Sequence, residues 1–343
     1  MNWDLITSTT LTQAFGPGVV VFALAAIGLN VQFGYTGLLN FGQAAFAAMG
    51  AYGLAMGVAT LGWPFWWSIL LGLVAALVLA LLLGVSTLRL RADYLAIATV
   101  AAAEAIRRLV RSVALREHTG GAEGIRAFAD DFREYGLRLG FERGENFEYG
   151  PFFYPMQPHL WVMVVGWTLV GLCLLLVWLA MRSPWGRVLR AIREDEDAVR
   201  SLGKSAFSYK IQSLTLGGMI GALAGFMEAL RIGNVAPDQY HTTFTFYTYA
   251  VLILGGAARV FGPVVGAVLF WGLFNFSTAF LRELANLGTL TIGPLEIPID
   301  AVLTPAEVGP FVFVLLGIGI IAMLIFRPQG IFGDRREISL NVR

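Results

Sequence analysis

Ionisable side chains are scarce in this chain. Of its 343 residues only 14% are Asp, Glu, Lys or Arg, while 57% are hydrophobic; soluble domains run at about 25% and about 45–50%. A water-soluble protein of this length divides into domains with charged surfaces, and there are too few charges here to coat them. A net charge of +1 excludes a nucleic-acid binder built on basic charge, and the hydrophobic content excludes a disordered chain. Cysteine is limited to Cys173, inside an apolar run, so neither a disulfide framework nor a cysteine metal centre is expected. His118, His159 and His241 are scattered and make no metal spacing. The N-terminal stretch lacks Lys and Arg, so a signal peptide with a basic n-region is not expected. An integral membrane protein remains.

The few charges are also unevenly placed. Residues 1–88 hold one, Asp4, whereas 107–159 and 182–210 together hold 15 of the 24 basic and 12 of the 23 acidic residues. Neutral blocks separated by charged connections are the pattern of spans and loops. Solid apolar blocks, rather than alternating ten-residue segments, exclude a β-barrel. The expected fold is all-α and polytopic, a single transmembrane domain over 1–343 with about nine helices, eight to ten at the limits. They are placed at roughly 14–33, 37–60, 65–87, 92–110, 160–181, 206–230, 244–260, 263–282 and 308–326. With nine spans, Arg89, Arg91, the 182–205 connection, Arg259 and the 327–343 tail fall on one side. The positive-inside rule makes that side the cytoplasm, with the N-terminus outside and the C-terminus inside. The 107–159 connection, with eight arginines and eight acids, then lies outside.

Several stretches have both a functional and an ordinary reading. Glu104 sits among alanines in the fourth span with Arg107 and Arg108 at i+3 and i+4, on one helix face. It is either an ion pair near the outer face or the polar lining of a route, since a charge in a span needs a partner or water. Glu228 with Arg231 poses the same choice. The polar, glycine-rich stretch 30–43, with Asn30, Gln32, Thr36, Asn40 and Gln43, is a pathway element or an interfacial loop, because broken backbone at membrane depth must be buried or line a cavity. Gly217, Gly221 and Gly225 form a stripe for tight internal packing or for a subunit interface. The 186–204 connection reads as two short amphipathic pieces. Val188, Leu189 and Ile192 face one way; a second piece, from Glu194 to Leu202, opens with acids, carries Ala198, Val199 and Leu202 on one stripe and stops at Gly203. It is a docking element or a solvated connection. Gly203-Lys204-Ser205 ends like a phosphate loop, but position 198 is Ala and no strand precedes it. No catalytic set is present, so an enzyme is not expected.

Taken in order, these motifs resemble the permeases of ABC importers for branched-chain amino acids, in the LivM-type branch of the LivH/LivM permease family. The resemblance rests on Gly34-Tyr35-Thr36-Gly37-Leu38-Leu39-Asn40-Phe41-Gly42-Gln43 with Gly50-Ala51-Tyr52, and on residues 88–99 with Glu104. It continues through Thr119-Gly120-Gly121-Ala122-Glu123-Gly124-Ile125, the 186–203 loop with Tyr209-Lys210, Leu254-Gly255-Gly256 with 262–266, and Phe326-Arg327-Pro328-Gln329-Gly330-Ile331. The resemblance implies a transport subunit without a cofactor of its own, ATP being bound by two separate ATPase subunits. A second, LivH-like permease and an extracytoplasmic solute-binding protein complete the assembly, in the bacterial inner membrane among its lipids. It implies that Arg187, Arg190, Arg193, Glu194, Asp195, Ala198, Leu202 and Gly203 couple to the ATPase. Asn30, Gln32, Thr36, Asn40, Gln43 and Glu104 would line or flank the substrate route. The wider family includes urea and short-amide permeases, and an ion-coupled carrier using Asp93, Glu104 or Glu228 is a further alternative. Two departures stand out: the long, charged stretch 128–154, and Asn40-Phe41, which leans towards the sister branch.

Overall fold

A computed structural model of the chain describes residues 3–88, 92–142, 144–155, 159–286, 289–292, 295–298, 307–327 and 330–332. Arg89, Arg91, Pro328, Gln329 and the tail from 333 onwards lie outside the described residues, as does the side chain of Asp93.

The described residues are mostly helical. In chain order the helices are α1 (Trp3–Ala14), α2 (Pro17–Leu29), α3 (Gln43–Ala59), α4 (Phe65–Thr87), α5 (Ala92–Arg111), α6 (Arg116–Thr119) and α7 (Asp130–Arg138). Then follow α8 (Trp161–Arg182), α9 (Pro184–Glu194), α10 (Glu196–Ser201), α11 (Ala206–Ile232), α12 (Thr242–Gly255), α13 (Gly262–Asn286) and α14 (Val308–Phe326). Strands are short and confined to connections. β1 (Ile125–Arg126) pairs antiparallel with β4 (Asn234–Val235), β2 (Asn146–Tyr149) with β3 (Phe152–Pro155), and β5 (Thr289–Ile292) with β6 (Leu295–Pro298).

Five helical stretches are long and apolar enough to cross a membrane: Pro17–Tyr35, Phe65–Thr87, Trp161–Arg182, Ala206–Ile232 and Gly262–Asn286. The chain is therefore a multi-pass membrane protein. Each of the nine expected stretches contains a helix, but two are trimmed and one gains an addition. The second expected span begins only at Gln43, because 37–42 leave helical geometry. The seventh stops at Gly255. The first is preceded by a separate helix, α1, which its Ser/Thr-rich sequence gave no apolar period to announce.

Helix α2 is the axis of the bundle. Val19 to Leu29 are almost completely enclosed, and a helix apolar on every face belongs inside. It lies against α11, and α11 in turn against α3, through small residues. A Cβ at Gly28 would strike the Gly217 carbonyl, and one at Gly225 would strike that of Ala47. In lipid, where apolar faces gain little by leaving the solvent, such close backbone approach is what holds helices together. The Gly217, Gly221, Gly225 stripe is thus internal packing. By contrast α4 and α8 turn Leu82, Val85, Leu172 and Leu179 outward, as lipid-facing helices do. Exposed Trp63, Trp66 and Trp67 mark one end of α4 as an interfacial belt.

The connections gather at two ends of the bundle. At one end Thr60 donates to the His118 carbonyl, Arg107 meets Asp238, and β1 pairs with β4. At the other, Asn30 meets Ala258 and Arg259, and Arg193 meets Gly34.

Candidate functional site

The chain leaves α-helical geometry at the end of α2. Residues Asn30–Tyr35 form a π-helical turn, which inserts an extra residue and widens the turn, a feature often found at functional positions. The polar residues of 30–43 close on this turn. Asn30 donates from Nδ2 to the Arg259 carbonyl at 2.8 Å and accepts the Ala258 N–H at 2.8 Å. Gln32 donates to the Leu214 carbonyl at 3.1 Å and accepts from Asn40 Nδ2 at 2.8 Å. The Asn40 side-chain oxygen accepts the Gly42 N–H, and Thr36 Oγ1 shares a 2.7 Å bond with Ser213. Gln43 donates to the Ala25 carbonyl at 3.1 Å. All five side chains are at most 2% exposed. Buried amides without partners would destabilise the fold by about 1–3 kcal/mol each, and the network answers most of that demand with groups from α2, α11 and the α12–α13 connection, leaving the Gln43 Oε1 without a partner among the described residues. The structure thus brings Asn30, Gln32, Thr36, Asn40 and Gln43 together, enclosed within this chain.

Glu104 is elsewhere, at the end where α5 leaves the bundle. Arg107 grips it bidentately at 2.8 Å, and Arg108 Nε adds a third bond at 2.9 Å. Arg107 and Arg111 also reach Asp238 at 2.8 and 3.0 Å, tying α5 to the 237–240 turn. The ion pair foreseen as one reading of Glu104 is present. The same end carries Glu228 and Arg231, paired bidentately at 2.9 and 2.7 Å. Next to α8, burial and the nearby Arg231 hold the pKa of His159 below its usual value.

The 182–205 connection folds as two helices meeting at Asp195. Asp195 caps α10, accepting the N–H groups of Asp197 and Ala198 at 2.9 and 3.0 Å; such a cap contributes about 1 kcal/mol. The acids of the first turn are Glu196 and Asp197, two residues later than the sequence pattern suggested. Leu189, Ile192 and Val199 are buried, but Ala198 is exposed and Leu202 is 80% exposed. The expected stripe is therefore divided. Val199 packs inward with Ile192 and Ala206, while Leu202 points away. Gly203 ends the unit at φ +72°, a conformation glycine adopts without strain.

Two arginines of α9 turn back into the chain. Arg193 Nη1 donates to the Gly34 carbonyl in the π turn at 2.6 Å, and Gly37, at φ +75°, leaves room beside its side chain. Arg190 donates to the Met181 carbonyl at 2.8 Å and lies 5.8 Å from the Tyr35 ring centroid. Arg187 and Glu194 are exposed. A cavity of about 810 Å³ opens between α9, the π turn and the α12–α13 connection. The groups that complete the polar network, Ser213, Thr245 on the Ala44 N–H and Tyr249 on the Asn40 carbonyl, were not expected. Their only sequence signal was hydroxyl groups inside apolar spans.

Comparison with known proteins gives one family and several relatives. Residues 18–316 match the family model described as the permease component of branched-chain amino acid transport systems. The chain is 31% identical over 319 residues to the high-affinity branched-chain amino acid transport system permease protein LivM of Salmonella typhimurium, covering 91% of this chain and 68% of the relative. The Escherichia coli LivM protein is 30% identical over 318 residues, with the same shares covered. A probable LivM permease of Methanocaldococcus jannaschii is 24% identical over 382 residues, covering 99% of this chain and 96% of the relative.

Proposed function

The chain belongs to the branched-chain amino acid transport permease family, and from that premise we propose that it is a membrane subunit of an ATP-driven importer. It moves branched-chain amino acids across a bacterial inner membrane. Nine helices span the bilayer, with the N-terminus outside and α9–α10 in the cytoplasm. Two ATPase subunits bind ATP and seat on α9–α10, a related permease stands alongside, and a soluble solute-binding protein delivers the amino acid from outside. Hydrolysis belongs to the partners.

The observation that carries this reading is the two-sided construction of α9–α10. Leu202 stands outward on a capped helix, while Arg193 on the same unit holds the carbonyl of Gly34 in the π turn. A displacement of α9–α10 therefore reaches the end of the central helix α2 directly. Asn30 extends the link to the α12–α13 connection. Asn30, Gln32, Thr36, Asn40 and Gln43 are enclosed in this chain, so they flank the route by holding its backbone. Glu104 flanks it from the outer end of α5. Of the loop residues, Glu194, Ala198 and Leu202 meet the ATPase, Arg187 is available beside them, and Asp195 and Gly203 shape the unit. Arg190 and Arg193 transmit its motion inward.

Co-purification with the ATPase subunits tests the assignment. Leu202→Asp is expected to reduce ATPase recovery by at least tenfold and to abolish ATP-driven leucine uptake in proteoliposomes. Leucine uptake by this chain alone, driven by a proton gradient without ATP, would show a secondary carrier instead.

A further inference from the structure

A second, half-open cavity of about 860 Å³ lies beneath α1, within the size range of small-molecule sites and apart from the π turn. Its construction is unusual for an interfacial void. Ser8, Thr9, Thr12 and Gln13 line it from one face of α1, while Trp3 and Leu11 on the other face are exposed. Thr9 and Gln13 stand exposed at its mouth and Ser8 and Thr12 are half-buried, so α1 lends the cavity a polar rim while its Ile6 packs into the bundle. Phe153 and Tyr154 of β3 form another wall, so the charged 128–154 stretch that departs from the family pattern contributes to it. The hairpin is fixed to α1 through Thr12, whose hydroxyl accepts the Phe153 N–H at 3.3 Å and whose carbonyl accepts from the Tyr154 hydroxyl.

Charges of both signs line the same space. Glu228 and Arg231 face it as a pair, with side chains 12% and 34% exposed. Among the described residues neither makes a hydrogen bond to a third group. Phe22, Phe244 and Trp271 supply an aromatic floor. An anion entering here meets the Glu228 carboxylate, and a cation meets the Arg231 guanidinium. A molecule carrying both charges satisfies both groups, its carboxylate on Arg231 and its ammonium on Glu228. Its apolar side chain then has the aromatic floor to rest on.

We propose that this cavity is a binding site for a free amino acid zwitterion with an apolar side chain, using Arg231, Glu228 and the polar rim of α1. The choice of side chain rests on the transport reading above; the requirement for both charges does not.

Equilibrium binding of radiolabelled L-leucine to the assembled complex in nanodiscs, without ATP or solute-binding protein, tests the site. Saturable binding is expected, competed by unlabelled leucine but at least tenfold more weakly by leucinol or 4-methylpentanoate, each of which lacks one charge. Arg231→Gln and Thr9→Trp, the latter narrowing the cavity from its rim, are each expected to weaken binding at least tenfold. Should the Arg231→Gln complex fail to assemble on size exclusion, Thr9→Trp decides. Absence of saturable binding to the wild-type complex, undiminished binding in Thr9→Trp, or equal competition by leucinol overturns the proposal. ATP-driven leucine uptake measured on the same preparation separates the two readings. Uptake without binding here removes this site and leaves the transport role standing; no uptake removes the transport role itself.

Discussion

Asn40 donates its amide N–H to Gln32 and accepts the backbone N–H of Gly42, so one side chain ties the π turn to the start of α3. Both residues are sealed from solvent, where water cannot replace a lost partner. Asn40→Leu leaves the Gln32 carbonyl oxygen and the Gly42 N–H unpaired and is expected to cost about 1–3 kcal/mol. Gln32→Met should cost a similar amount. The double variant should be less destabilised than the sum of the two, by about 0.5 kcal/mol or more, because the shared bond is lost only once. Unfolding of the detergent-purified chain followed in all four members of the cycle provides the check. Strict additivity would mean that the two amides do not act together.

At the scale of elements, the α9–π turn contact separates two roles that a coupling loop combines. Leu202, exposed, is the contact proposed for the ATPase; Arg193 holds Gly34 of this chain. Arg193→Ala should therefore leave the ATPase subunits bound and hydrolysing while leucine taken up per ATP falls several-fold, since the carbonyl of Gly34 loses its grip on the moving unit. Equal loss of hydrolysis and uptake would place Arg193 at the partner interface instead. Elements of this kind were unevenly legible in the sequence. The helix at 65–87 was placed to the residue and the one at 160–181 to within one residue, because an uninterrupted apolar run admits no other structure in lipid. The polar cluster of 30–43 was visible as a set of residues, yet its partners Ser213, Thr245 and Arg259 lie about two hundred positions away and only folding reveals them. Leu202 and Val199 belonged to one stripe by spacing, and the packing of Val199 against Ile192 split them. Helix α1 escaped notice because its Ser and Thr residues carry no apolar period.

For the whole molecule, the two ends of the helix bundle are distinct. One carries the tryptophans of α4, the arginine-rich end of α5 and the 113–155 connection; the other carries α9–α10 and the cavity beside them. With the sole cysteine, Cys173, replaced by serine, single cysteines at Glu145 and Leu202 report the orientation. A membrane-impermeant maleimide applied to intact spheroplasts should label Glu145→Cys, and Leu202→Cys should react only after permeabilisation. The reverse pattern would invert the topology. The attachment of the β2–β3 hairpin to α1 through Thr12 has an evolutionary side. Surface hairpins accept changes of length and sequence that packed spans do not tolerate. Here such a hairpin supplies part of a cavity wall without joining the α2–α3–α11 core. A change of length or sequence in this hairpin therefore reshapes what the cavity admits without disturbing the packing of α2, α3 and α11.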